Sequence, residues 1–286
     1  MMVNVEVFAF FSAITCFGIA LPLFVWSVVS RKKISQREPV SNIVDSKERV
    51  HSGPDLFSTL ATIAGLLFLS LSIAIRTILT GHGPFSSMYE FAIAFAWGTV
   101  VMGLYFERHY HCPETNIVGV IVAFGLLLFA NTLPSQAAPL VPALQQSFLL
   151  SVHVAAAVVA YGSLTIGCGT AIFYLLRRRF TAFHFMSEET LDDISYKSVL
   201  IGFPSLTLVI VLGAIWAEIA WGRYWSWDPK ETASLVTWLV YAAYHHARIL
   251  KGWRGSKSAI LLIVGFAAIL FTFFGNYFFS GLHSYG

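Results

Sequence analysis

The sequence predicts an all-α, polytopic membrane protein with about eight transmembrane helices and both termini outside. Three observations predict it. Of 286 residues, 57% are hydrophobic and only 12% charged, and the mean hydropathy is +0.71, which leaves too little polar surface for a soluble domain. A hydrocarbon core about 30 Å thick takes roughly 20 apolar residues per helix. Apolar blocks of that order run near 5–29, 56–79, 85–106, 115–132, 147–176, 198–220, 232–250 and 258–280. Period-two alternation is lacking, which argues against a membrane β-barrel. The third observation is where the basic residues lie.

The first block has Glu6 as its only charge before Arg31, so it lacks the basic start of a cleaved signal and reads as a permanent helix. The 30–55 linker carries Arg31, Lys32, Lys33, Arg37, Lys47 and Arg49, and the turn near 107–114 carries Arg108. The 177–197 linker carries Arg177, Arg178, Arg179 and Lys197, and the 248–257 turn carries Arg248, Lys251, Arg254 and Lys257. These are alternate connections, so they share one side, which the positive-inside rule makes cytoplasmic. The other side has only Arg76, Arg223 and Lys230. The net charge of +3 follows from this topology and implies no nucleic-acid partner. The chain reads as one transmembrane domain over 1–286, without a soluble domain. Its longest polar stretch, 31–55, reads as a linker. Glu188, Glu189, Asp192 and Asp193, following three arginines, read as a short surface helix within the 177–197 connector. The outer loop 133–147 has three prolines and no charge. Cys16, Cys112 and Cys168 form no CxxC, which leaves no thiol-redox or c-type haem attachment motif. Cys112-Pro113 resembles a pair found in some haem-sensing motifs, but a plain turn is the better reading.

One outer segment, at about 216–232, differs from ordinary loops. It reads WAEIAWGRYWSWDPKE over 216–231, with four of the eight tryptophans within twelve residues. Indoles gather at membrane interfaces, which accounts for one tryptophan but not for this density, nor for the charges among the rings. Large flat rings beside fixed charges suit a large, flat, apolar ligand with polar edges. Porphyrin fits, with its faces on indoles and its propionates on Arg223 or Lys230. A quinone or sterol fits the rings but leaves the cations without a purpose. Asp228-Pro229 with Glu231 is a helix-start pattern, so Asp228 has a structural reading beside a functional one.

Nine histidines divide by position. His51, His109, His111 and His184 lie in inner linkers and turns and read as solvated. His82, between two glycines, is open to either reading. His153, just inside the outer end of the fifth block, and His283, beyond the eighth, share the side of the tryptophan segment. Two imidazoles can make a six-coordinate, low-spin haem site. His245 and His246 lie within the seventh block, where ionisable groups are costly and line a cavity or bind something. Adjacent helical residues point about 100° apart, and position alone does not choose between them.

The run WGRYWSWDPKETASLVTWLVYAAYHHAR resembles the WWD signature of membrane haem-handling proteins, most closely the CcsA (ResC) family of cytochrome c biogenesis, or system II. The similarity extends to GHGPFSSMYEF (81–91), LLSVHVAAAVVAYGSL (149–164) and GNYFFSGLHSYG (275–286). The resemblance implies that His153 and His283 ligate haem iron on the outer face and that His246, rather than His245, ligates it within the membrane. Trp221, Gly222, Trp225, Trp227 and Asp228 match the signature core. CcmC-type loops continue differently after the last tryptophan, and CcmF-type chains share WDPxE but are roughly twice as long.

The resemblance further implies a subunit of a cytochrome c synthase that moves haem b to the outer face of a bacterial cytoplasmic or thylakoid membrane. There the CxxCH thiols of apocytochrome c would add to its vinyl groups. A second ligand opposite His246 would come from a ResB/CcsB-like partner. A thioredoxin-like protein that keeps thiols reduced is a further partner the resemblance allows. No general acid or base is evident, so no catalytic residue is assigned beyond the haem ligands. A haem exporter or chaperone without ligation, a system I-type protein, a b-type electron carrier and a transporter are the other readings.

Overall fold

The structure, a computed structural model, describes residues 2–35, 53–136, 147–180 and 186–275. These form eight helices: α1 (Met2–Ser35), α2 (Gly53–Thr80), α3 (Met88–Tyr110), α4 (Pro113–Ala130), α5 (Ser147–Arg179), α6 (Glu188–Trp221), α7 (Pro229–Leu250) and α8 (Ser256–Phe274). Over the described residues each apolar block of the sequence matches one helix to within a few residues. Seven helices are long and apolar enough to cross a membrane. The other is α7, which carries Lys230, Glu231, two histidines and Arg248. At 1.5 Å per residue its 22 residues still span about 33 Å.

The acidic run expected as a separate surface helix instead forms the first turns of α6. Ser187 caps that helix by accepting the Thr190 N–H at 3.2 Å, Glu188 and Glu189 occupy the first turn, and a helix N-terminus favours negative charge there. Nothing between Asp193 and Ser198 interrupts it, and α6 continues through Pro204.

Successive helices pair as α1 with α2, α3 with α4 and α5 with α6, while α3 and α5 link the pairs and α8 packs on α5 and α7. α3 and α4 are the most enclosed. Within a bilayer, small residues let backbones approach and dispersion then holds them. A Cβ at Gly119 of α4 would lie 2.6 Å from the Thr99 carbonyl of α3, and one at Gly162 of α5 would lie 2.8 Å from the Gly98 carbonyl. Outward-facing residues are large and apolar: Phe8, Leu67 and Ile78 are 65%, 66% and 68% exposed. Such a surface would be a liability in water and matches lipid. Polar groups inside pair with one another, as where the Trp97 indole N–H donates to Ser70 at 2.8 Å and the Trp238 indole N–H donates to Thr207 at 2.9 Å.

Two ionic clasps tie the bundle at its ends. At the end that carries the tryptophan segment Arg76 is 3% exposed. It donates through Nε to Glu90 at 2.8 Å and through a terminal nitrogen to Glu6 at 3.1 Å and to the Ser135 carbonyl at 3.0 Å. The sequence placed Arg76 merely on the sparsely charged side. At the opposite end Arg248 grips Asp192 with two hydrogen bonds of 2.9 and 2.7 Å, joining α6 to the end of α7.

Candidate functional site

The tryptophan segment bridges α6 and α7 and is pinned at both ends. Gly222 ends α6 in the left-handed region at φ 73°, a conformation that costs glycine little, and its N–H donates to the Glu218 carbonyl at 2.8 Å. Asp228 begins α7. Its carboxylate accepts the Lys230 N–H at 2.9 Å, while Glu231 accepts the N–H groups of Ser226 at 2.8 Å and Asp228 at 3.2 Å. This is the capping box the Asp-Pro-x-Glu spacing predicts. Gly222 and Asp228 thus both have structural tasks here. Trp227, just before the cap, sits at φ 59°, a region few bulky residues adopt.

The four indoles do not form one platform. Trp216 is buried and meets Trp221 edge-on at 4.8 Å, and these two pack with Phe85, Leu150 and Val154 into a small apolar cluster. That cluster braces this end of the bundle. Trp225 and Trp227 meet edge-on at 5.9 Å, with Trp227 69% exposed.

Behind the loop lies a cavity of about 480 Å³, within the roughly 300–1,000 Å³ range of ligand pockets. Five helices and the loop wall it. Ser86, Ser87, Met88 and Phe91 come from the start of α3, His153, Ala157 and Tyr161 from α5, and Gly213 and Ala214 from α6. Tyr224 and Trp225 come from the loop, Lys230, Glu231 and Ser234 from α7, and Thr272 and Phe273 from α8. The rim near the loop is polar and the deeper wall is mostly apolar. His153 is set by its neighbour on α6: a Cβ at Gly213 would lie 3.0 Å from Cε1 and 3.4 Å from Nδ1 of the ring. Ser86 is set by Glu90, which accepts its N–H at 2.8 Å and its hydroxyl at 2.6 Å. Because Glu90 also takes Arg76, the Arg76 clasp continues into the cavity rim.

The structure brings His153 and Trp225 together on this cavity. Trp221 and Asp228 lie beside it in bracing and capping positions, and Gly222, Arg223 and Trp227 are exposed on the loop. His283 lies outside the described residues, as do His51 and His184. His246 is elsewhere: it lies near the other end of α7, exposed, in line with Val236 and Leu239 on the outward face of that helix. His245 turns inward, its ring 5.0 Å from Phe203. Of the remaining histidines, His82 is buried, with Nδ1 2.8 Å from the Gly83 carbonyl, while His109 and His111 are exposed at the C-terminal end of α3. Cys112 is the N-cap of α4. Burial, reinforced by the Glu114 carboxylate, holds its thiol well above the ordinary range.

Ser87, Met88, Tyr161 and Gly213 were not singled out from sequence. Gly213 gave no signal, because a glycine amid an apolar helix looks like ordinary packing. Ser87 and Met88 lie in the GHGPFSSMYEF run, and only its similarity marked it.

A family model described as cytochrome C assembly protein matches residues 85–283. The cytochrome c biogenesis protein CcsA of Synechococcus sp. (strain CC9902) is 35% identical over 96% of this chain and 95% of its own length. That of Guillardia theta is 38% identical over 79% of this chain and 84% of its own, and that of Chlamydomonas reinhardtii is 40% identical over 77% and 65%. Among solved structures, cytochrome c heme lyase CcmF superposes on 96% of this chain with a TM-score of 0.65 at 18% identity. This chain spans about half of that protein, 47% of its length, and the likeness is one of fold.

Proposed function

The chain belongs to the CcsA family of cytochrome c biogenesis proteins, and from that premise we propose that it is the membrane subunit of a cytochrome c synthase, holding haem b at the outer face while apocytochrome c is joined to it. The observation that carries this reading is the cavity behind the tryptophan loop, where an imidazole, aromatic rings and a lysine meet in a space of ligand size. The basic residues of the connectors favour an arrangement with this loop and both termini on the outer or lumenal side.

Haem here is substrate, and it supplies the iron and the two vinyl groups. His153, backed against Gly213, offers a ring nitrogen to iron, and His283 is the second outer ligand in this proposal. Each cysteine of CxxCH adds its sulfur to the vinyl carbon next to the porphyrin ring and its proton to the terminal carbon. That addition consumes no external electrons or protons. The protein's contribution is placement, which makes a bimolecular addition effectively unimolecular and lowers its barrier by several kcal/mol. Capping at Asp228 and Gly222 keeps the loop rigid enough for this.

His246 has a different place in the proposal. An imidazole on the outward face of a membrane helix is costly unless something covers it. A ResB/CcsB-like subunit carrying the second histidine would do so, with haem held between the two proteins on its way outward.

The test is a purified preparation of this chain with such a partner, in detergent, assayed by pyridine haemochrome and for covalent holocytochrome c. A bis-imidazole haem b spectrum and thioether product are expected, and His153→Ala should abolish both. Normal product yield in that variant sinks the reading. Bound haem without product assigns the chain to haem delivery alone.

A further inference from the structure

We infer that Lys230 is a carboxylate anchor within the cavity, pairing with a propionate-type group of a planar ligand and so fixing how the ligand is rotated in its own plane. The inference rests on the haem-handling reading above.

Lys230 is the one lysine or arginine among the described residues that line the cavity. Its ammonium lies 5.4 Å from the centre of the Phe91 ring and makes no ion pair with a described carboxylate. Asp228 lends Lys230 a favourable charge interaction, but neither it nor Glu231 forms an ion pair with the ammonium. Glu231 is taken up by the Ser226 and Asp228 N–H groups and by the Ser226 hydroxyl, and Asp228 accepts the backbone N–H of Lys230 rather than its ammonium. Arg223, the other cation of the segment, is exposed and off the cavity wall.

A partly buried cation facing a largely apolar space is unfavourable until an anion joins it. A ligand carboxylate would supply that anion and would gain on its own account, since hydrogen bonds to charged groups are the stronger ones. The Ser87 hydroxyl accepts the Glu90 N–H at 3.3 Å, which leaves its proton for a second acceptor. With a carboxylate held on the α7 side, the macrocycle has one rotational setting about the bond from its iron to His153.

The test compares haemin with its dimethyl ester, which has the same ring and iron but no carboxylates. Each is titrated by Soret absorbance into the purified full-length wild type, Lys230→Met and Lys230→Arg. The wild type should bind haemin roughly tenfold or more tightly than the ester, the scale of a hydrogen bond between charged groups. Lys230→Met should lose that discrimination by weakening haemin while leaving the ester unchanged, and Lys230→Arg should keep it. Equal binding of acid and ester by the wild type, or equal weakening of both by Lys230→Met, overturns the anchor. A wild type that binds neither ligand through imidazole refutes the haem reading itself, which is a different result from haem bound without discrimination.

Discussion

Replacing Arg76 by methionine tests the Arg76 clasp most directly. The side chain holds two carboxylates, Glu6 and Glu90, and a carbonyl, with contacts of 3.1, 2.8 and 3.0 Å, and its guanidinium lies 4.6 Å from the Tyr89 ring centre. Its own exposure is 3%, and that of the two carboxylate side chains is 9% and 1%. Methionine keeps most of the volume but leaves two buried carboxylates without a counter-charge. Breaking a buried pair from one side costs about 3–5 kcal/mol. For a chain of this size that is a fall in melting temperature of roughly 10 °C, at about 2–4 °C per kcal/mol. The assay is tryptophan fluorescence during heating in detergent at one scan rate. Adding Glu6→Gln and Glu90→Gln to Arg76→Met should recover most of the loss, because the penalty comes from uncompensated charge rather than missing contacts. A shift below about 2 °C for Arg76→Met, less than one kcal/mol on that scale, would refute the reasoning. So would a triple variant no more stable than the single one.

Three further outcomes are expected. Gly213→Leu should abolish the imidazole-ligated Soret band as His153→Ala does, because even a Cβ at that position reaches within 3.0 Å of the ring; an unchanged spectrum would show that the ring does not depend on α6. Asp228→Ala should cost about 1 kcal/mol through loss of the α7 cap, whereas Asp228→Asn keeps the cap and should retain holocytochrome c formation; product loss in both variants would show that the charge itself is needed. Burial and Glu114 both raise the Cys112 thiol, so it stays protonated at neutral pH and gains reactivity only as pH rises toward and beyond the free-thiol range; maleimide labelling in membranes at pH 7.5 as fast as that of a free thiol would contradict this.

The helices were legible because membrane insertion demands long apolar runs, and a run can be counted. The α7 start was legible for a similarly local reason, since Asp228, Pro229 and Glu231 meet all the requirements of a cap within four residues. α6 is the instructive departure. A cluster of acids after a basic run looks like a surface piece, yet acids are welcome at a helix start, and so Glu188–Asp193 became the first turns of a helix that runs on to Trp221.

What the sequence by itself determined is therefore the all-helical membrane character, the position of each helix and the ends of the tryptophan segment, because these depend on length, hydropathy and capping between near neighbours. The tertiary structure alone decided which of those residues meet. It set His153 against Gly213, sixty residues away, and turned His245 inward while leaving His246 on the outer face of α7. It buried Arg76 between carboxylates from α1 and α3, and it split four neighbouring tryptophans into a bracing pair and a loop pair. Each of these outcomes depends on how one helix is rotated against another, and close-packed glycines and buried charge pairs on separate helices fix that rotation.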